Sequence, residues 1–208
     1  MQPDHFFEDA AHSCGHRSIA GLDEAGRGPL AGPVVASAVL LPRRFRLEGL
    51  NDSKVLHESD RESLYGQLTH RAISWSIGIA SEQEIDRLNI LEATRLALFR
   101  ALTALSITPD YLLTDAIHVP YTSIPQRSII KGDGLSLSIA AASVLAKVTR
   151  DRVMHDYHQR FPQYQFHIHK GYPTPQHLRL LAEHGPCQGH RQSFRPVQAC
   201  RSLVSEPA

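Results

Sequence analysis

Apolar positions along the chain fall into two rhythms. Residues 18–22 and 34–41 are short apolar runs with strand character, joined by a turn rich in glycine and proline. Residues 73–80 alternate in part and predict a third strand. Ser81 and Glu84 have the spacing of a capping box, opening a helix of about two turns. Leu91, Leu96, Ala97, Leu98 and Leu102 recur at helical spacing, and Pro109 stops that helix. Residues 111–114 form a short buried strand that delivers Asp115 at its end, and residues 128–131 another that delivers Asp133 after Gly132. Residues 135–157 predict a long helix, alanine-rich at its start and charged from Lys147 onward. Pro162, Pro173, Pro175 and Pro186 divide the rest of the chain into short helices and loops. Strands first, then strands alternating with helices, predict a mixed α/β sheet.

Composition narrows this reading. With 208 residues, 42% hydrophobic and 21% charged, the chain suits one globular domain with a small C-terminal appendage. No apolar run approaches the ~20 residues that span a bilayer. Residues 1–15 are acidic and histidine-bearing and lack the basic-then-apolar order of a signal peptide, so a cytoplasmic location is expected. Cys14, Cys187 and Cys200 are an odd number with no CxxC, which argues against a disulfide framework. A formal net charge of +1 hides a skew: residues 147–201 hold nine Lys/Arg against three Asp/Glu, so the preceding part is acidic. A skew of this kind reads either as a solvated helical face or as a polyanion track beside an acidic centre.

That acidic centre is where the chemistry concentrates. Asp23-Glu24, Asp115 and Asp133 each stand at the end of a predicted strand. One acid there is usually a turn residue or a cap. Three such ends on one sheet edge repel one another unless a cation sits among them. Successive strand side chains point to opposite faces, so Asp23 and Glu24 share a site only if the strand ends or bulges there, which Gly26 permits. The expectation is that Asp23 bridges two ions and Glu24 reaches one. Oxygen-only ligation suits Mg²⁺ or Mn²⁺, and two such ions roughly 4 Å apart can drive phosphodiester cleavage by water.

These residues resemble a known family. Gly21-Leu22-Asp23-Glu24-Ala25-Gly26-Arg27-Gly28-Pro29-Leu30-Ala31-Gly32-Pro33 is similar to the opening signature of ribonuclease HII, a type 2 ribonuclease H. The resemblance continues in Asn51-Asp52-Ser53-Lys54, in Asn89-Ile90-Leu91-Glu92-Ala93-Thr94 and in Lys131-Gly132-Asp133. It then runs from Ala141 through Ser143 and Lys147 to Asp151, and ends with His169-Lys170-Gly171-Tyr172-Pro173-Thr174. The blocks keep the family's order over residues 18–197.

The resemblance implies an α/β, ribonuclease H-like mixed sheet flanked by helices, with a C-terminal helical extension. It divides the chain into a catalytic domain over 18–160 and a substrate-binding extension over 161–200, leaving 1–17 and 201–208 as flexible termini. The implied activity is endonucleolytic cleavage of RNA in RNA–DNA hybrids, including cleavage 5′ of a lone ribonucleotide in duplex DNA, leaving 5′-phosphates. The implied metal and catalytic residues are Asp23, Glu24, Asp115 and Asp133, holding Mg²⁺ or Mn²⁺. Gly26, Arg27 and Gly28 match the positions that recognise the ribose, and Tyr172 the one that senses the 2′-hydroxyl. Asp115 is followed by Ala116, where family members commonly have glycine.

The residue chemistry agrees with that carry-over. A 2′-hydroxyl both donates and accepts, and glycine backbone groups read it with no side chain in the way. Arg27 can grip a phosphate or order the turn through a carboxylate. Tyr172, between Gly171 and Pro173 in a basic loop, reads as a surface residue. Lys54, Lys147 and Lys170 are candidate phosphate contacts. The expected partners are hybrid and ribonucleotide-containing duplexes; no membrane is implied, and a monomer is the default.

Other readings fit less well. Gly21 and Gly26 have P-loop spacing, but Arg27-Gly28 follows them and two acids lie inside the loop. His184, Cys187, His190 and Cys200 match no common zinc pattern. His167 and His169 form a pair that thirteen histidines produce by chance. A junction resolvase or integrase-like transferase would not need the Gly-Arg-Gly turn and Tyr172. A non-catalytic hybrid-binding module would not need all four acids.

Overall fold

The computed structural model describes residues 2–204. Its centre is a five-stranded sheet in the order β3-β2-β1-β4-β5. The strands are β1 (Ile19–Ala25), β2 (Val34–Leu40), β3 (Ser74–Ala80), β4 (Tyr111–Asp115) and β5 (Gln126–Ile129). The first three pair antiparallel, with Asp23 opposite Ser37 and Ala36 opposite Gly78. β4 joins β1 in parallel with Leu22 beside Thr114, and β5 joins β4 in parallel with Asp115 beside Ile129. The mixed sheet expected from the sequence is therefore present, and its parallel half brings the ends of β1 and β4 together.

Each face is covered by helices. On one face, Ala20, Leu22, Ala36 and Ala38 pack against Ala93, Ala97, Leu98 and Ala101 of α4 (Ile90–Thr103), which follows α3 (Glu82–Leu88). The Ser81–Glu84 capping box is formed in full, and Asn89 caps α4 by accepting from the N–H groups of Leu91 and Glu92. On the other face lies α5 (Leu137–Arg160), whose Ala140, Ala141, Val144 and Leu145 meet Val39 and the leucines of α2 (Glu58–Arg71). Gly21 makes that contact possible, since a Cβ there would collide with the Ser138 backbone.

The structure differs from the sequence reading in several places. Residues 1–17 are expected to be flexible, yet α1 (Phe6–Ser13) docks on the start of α5. Glu8 is buried there, and its Oε1 accepts from Ser138 N–H and from the hydroxyls of Ser136 and Ser138. A carboxylate at a helix N-terminus meets its free amides and its positive pole, which gives this contact its physical reason. α2 has no counterpart in the sequence reading, because only Leu64 and Leu68 of it are buried. β5 ends two residues earlier than expected, where Lys131 turns left-handed at φ +59° and Gly132–Gly134 forms a 3₁₀ turn. Beyond α5, α6 (Phe166–His169), α7 (Pro175–His184) and α8 (Arg195–Val204) follow; residues 205–208 of the expected C-terminal tail lie outside the described residues. Tyr164, Phe166 and Leu180 close a core cluster with Ala31 and Met154.

Candidate active site

The parallel pairing of β1 with β4 sets Asp23 next to Asp115, and the 3₁₀ turn after β5 brings in Asp133. Carboxylate oxygens of these three residues lie within 4.8 Å of one another. Gly132 N–H holds Asp115 in place through Oδ1 at 2.8 Å. Asp23 Oδ1 accepts from the Glu24 N–H at 2.7 Å. β1 continues through Ala25, so it neither ends nor bulges between Asp23 and Glu24. Glu24 is not one of the close group of three, yet it lines the same cleft as Asp23, so the two neighbours reach one site without the strand end or bulge that was expected. Glu24 Oε1 accepts from Arg27 Nη1 at 3.3 Å, and its Oε2 is buried with no protein partner.

The electrostatics are those of a cluster short of positive charge. Burial first, then Glu24 and Asp115, push the Asp23 carboxyl well above the usual carboxylate range. Burial raises Glu24 to about 7, against the pull of Arg27 and with a further push from Asp115. Asp115 is raised by burial and by Asp133, while the Gly132 N–H opposes the shift. Each shift disfavours the ionised form, and a cation among the oxygens would reverse it. The all-oxygen donor set and the orphaned Glu24 Oε2 fit a hard divalent ion.

A cleft of about 260 Å³ opens over these acids. Asp23, Glu24, Asp115, Gly26, Arg27, Gly28 and Tyr172 line it, with Lys54 and Lys147. Tyr172 is 41% exposed, and its ring faces Gly28, where an added Cβ would sit 3.7 Å from Tyr172 Cε1. Of the two roles open to Arg27, the structure displays the contact with a carboxylate. Lys54 lies among the acids, its Nζ 2.7 Å from Asp133 Oδ2. Burial works against that charge, but Asp133 outweighs it and keeps the ammonium protonated. Lys147 faces the cleft from α5 but is paired with Asp151 at 2.7 Å. Lys170 is not part of the lining; its Nζ lies 3.8 Å from Glu58. A larger cavity of about 610 Å³, around His5, Glu8 and His12, lies at the other end of β1, away from the acid cluster.

Two residues that hold this cleft together have no role in the sequence reading, although Arg150 lies within the block that ends at Asp151. Arg150 and Arg191 are both buried, and they bind carbonyls of the segment that carries the Gly-Arg-Gly turn. Arg191 donates to Gly26, Arg27, Gly32 and Pro33. Arg150 donates to Ala31, Pro33 and Lys170, and lies over the Tyr172 ring at 5.9 Å. Gly26 has φ +99°, and a Cβ on it would strike the Arg150 guanidinium. The signal for both was the arginine type itself, since a buried fork of donors is what a carbonyl-rich loop requires. Of the zinc candidates, His190 and Cys187 do meet, with Nδ1 and Sγ 3.2 Å apart, but no metal-holding group forms there among the described residues.

Sheet order and clustered strand-end acids define the class, a nuclease of the ribonuclease H type. Comparison with known proteins carries this to a family. The ribonuclease HII profile matches residues 20–197, and the chain belongs to that family. Ribonuclease HII of Myxococcus xanthus is 54% identical over 198 residues, covering 95% of this chain and 68% of the relative. Among solved structures, ribonuclease H2 of Pyrococcus horikoshii OT3 superposes with a TM-score of 0.76 at 24% identity, covering 92% of this chain and all of that one. Bst-RNase HIII in complex with Mn²⁺ gives 0.74 at 16% identity, covering 94% of this chain and 73% of that one. The fold is thus ribonuclease H-like, and the protein is an endoribonuclease acting on RNA–DNA hybrids. Among the described residues, no helix is long and apolar enough to cross a membrane.

Proposed function

We propose that the protein also cuts 5′ of a single ribonucleotide in duplex DNA, with Asp23, Glu24, Asp115 and Asp133 holding Mg²⁺ or Mn²⁺. The observation that carries the reading is one cleft shared by the acid cluster, the Gly26-Arg27-Gly28 turn and the Tyr172 ring. The ions, when bound, would supply a water of lowered pKa and stabilise the leaving oxygen.

The chain's own residues bind and orient. Backbone groups of the glycine turn reach the 2′-hydroxyl from one side, and Tyr172 packs on the neighbouring sugar from the other. Gly132 N–H keeps the Asp115 carboxylate turned toward the cleft. Lys54 pairs with Asp133, and a divalent ion on the acids would match that charge and let the ammonium meet a phosphate. Arg27 holds Glu24. Lys147 and Lys170 lie behind these as supports for the backbone track. In this reading residues 18–160 are the catalytic unit and 161–200 help to hold the substrate.

The test is a duplex with one ribonucleotide, labelled at its 5′ end. The expected product is a fragment ending in a deoxynucleotide 3′-hydroxyl, formed only with Mg²⁺ or Mn²⁺. A fragment ending in the ribonucleotide with a 2′,3′-cyclic phosphate, formed in chelator, would mean that the 2′-hydroxyl attacks its own phosphate, and would overturn the carboxylate assignment.

A further inference from the structure

The Tyr172 backbone is tied to the C-terminal segment by hydrogen bonds that admit one consistent proton arrangement. Cys187 N–H donates to His190 Nδ1 at 3.0 Å, so His190 carries its proton on Nε2. That nitrogen is 3.1 Å from His177 Nε2, which must therefore accept. His177 is left with its proton on Nδ1, 2.9 Å from the Tyr172 carbonyl oxygen. Burial draws His177 down to about 4 and His190 to about 3, so at neutral pH each ring holds the single proton that the chain of bonds requires. His169 stacks on His177 with centroids 4.3 Å apart, and its backbone carbonyl accepts from the Tyr172 N–H at 2.9 Å.

The next residue along the chain reaches the opposite wall. Arg191 holds the Gly26 and Arg27 carbonyls through its guanidinium, and its own N–H donates to the Leu30 carbonyl at 2.8 Å. Leu30 N–H in turn donates to Gly171 at 2.8 Å. His190 and Arg191 are adjacent in sequence, and each secures one side of the cleft.

We infer that His190-Arg191 is a positioning element that sets the gap between Tyr172 and the Gly26-Arg27-Gly28 turn, with His177 as the link to Tyr172, and that this gap determines how strictly ribose is told from deoxyribose. The positioning role rests on the ribose-reading role proposed above. A hydrogen bond to a 2′-hydroxyl loses its value over a few tenths of an ångström and tens of degrees, so the reader must be held by neighbours that cannot give. Sites built in this way reject a substrate lacking the hydroxyl by far more than apolar pockets reject a missing methylene.

Two measurements test this. In ¹⁵N spectra of histidine-labelled protein, His177 should carry its proton on Nδ1 and His190 on Nε2. The reverse tautomer at either ring would overturn the inference with no variant needed. In kinetics, His177→Leu should lower kcat at a lone ribonucleotide by about tenfold, the worth of roughly one hydrogen bond, and affect a long hybrid less. His177→Asn, whose amide can still donate to the Tyr172 carbonyl, should recover most of that loss. In a Tyr172→Ala background, His177→Leu should cost nothing further. If Tyr172→Ala spares the lone ribonucleotide as much as the hybrid, the ribose reading fails and takes this inference with it. If Tyr172→Ala discriminates but the two losses add, only the positioning role fails.

Discussion

Exchanging Asp115 for Asn replaces one carboxylate oxygen by an amide and leaves the Gly132 N–H its acceptor. In chelator the variant should melt at the wild-type temperature or above it, because a repelling charge has gone. With Mn²⁺ it should gain less than wild type, and turnover should fall by ~10²-fold or more. Calorimetric titration of the metal and a cleavage assay check both halves; wild-type turnover would remove Asp115 from the site. Ala116 sits at φ +56° beside it, with its N–H on the Ile129 carbonyl. A left-handed alanine costs about 1–2 kcal/mol, while glycine would add about 0.4–1 kcal/mol of freedom to the unfolded chain. The two terms nearly offset, so Ala116→Gly should shift stability by only about 1 kcal/mol, or ~2–4 °C in melting temperature, and leave metal affinity unchanged. Alanine at this position thus keeps the backbone turn that glycine would make.

Among the elements, β1 and β2 were legible as continuous apolar runs and α4 by its helical spacing, whereas the equally long α2, with only Leu64 and Leu68 buried, was not. The Ser81 box and the delivery of Asp115 by β4 follow from local chemistry alone, whereas α4 ends at Thr103 with Ala104 as its C-cap, well short of the stop expected at Pro109. α1 was not legible, since its anchor is Glu8 on Ser136 and Ser138, and a buried carboxylate far from its partners in sequence has no local pattern. Arg191 is the same case with larger consequences. Arg191→Met should cost about 2–4 kcal/mol, since several loop carbonyls lose their donors while the desolvation of a buried cation is recovered. Arg195→Met, at an exposed position, should cost almost nothing. Thermal melts of the two variants decide this. The His177–His190 pair adds a pH dependence. Their folded pKa values of about 4 and about 3 lie below the ordinary histidine value of 6.5, so in that window the unfolded chain binds more protons. The stability they confer is complete above pH 6.5 and is lost as pH falls toward 4. The melting temperature should drop across that window, and His177→Asn should drop less steeply.

At the scale of the whole molecule, the basic C-terminal third means something different from what its charge suggests. Arg150 and Arg191 are buried on carbonyls, Lys147 is paired with Asp151 and Arg152 with Glu62. Composition shows how many charges a segment has but not which face water. Cutting the chain before Gln163 would expose Ala31 and Met154 and release the Gly-Arg-Gly turn, so it cannot isolate an electrostatic contribution. The exposed Arg179 and Arg195 are the better probes. Arg179→Gln with Arg195→Gln should leave the melting temperature in place and lower the slope of log K against log salt by ~0.9 for each phosphate no longer neutralised. An unchanged slope would make both residues bystanders.

The hydrogen bond from Arg191 to the Gly26 carbonyl spans 165 positions of sequence. During synthesis at ~5–20 residues per second, the turn is made on the order of ten to thirty seconds before its clamp exists. Until then its carbonyls have no guanidinium to hold them, although the first acids are already in the chain. The acids of β1 thus precede their clamp in time, and the turn beside them takes its final hold only after Arg191 has itself left the ribosome.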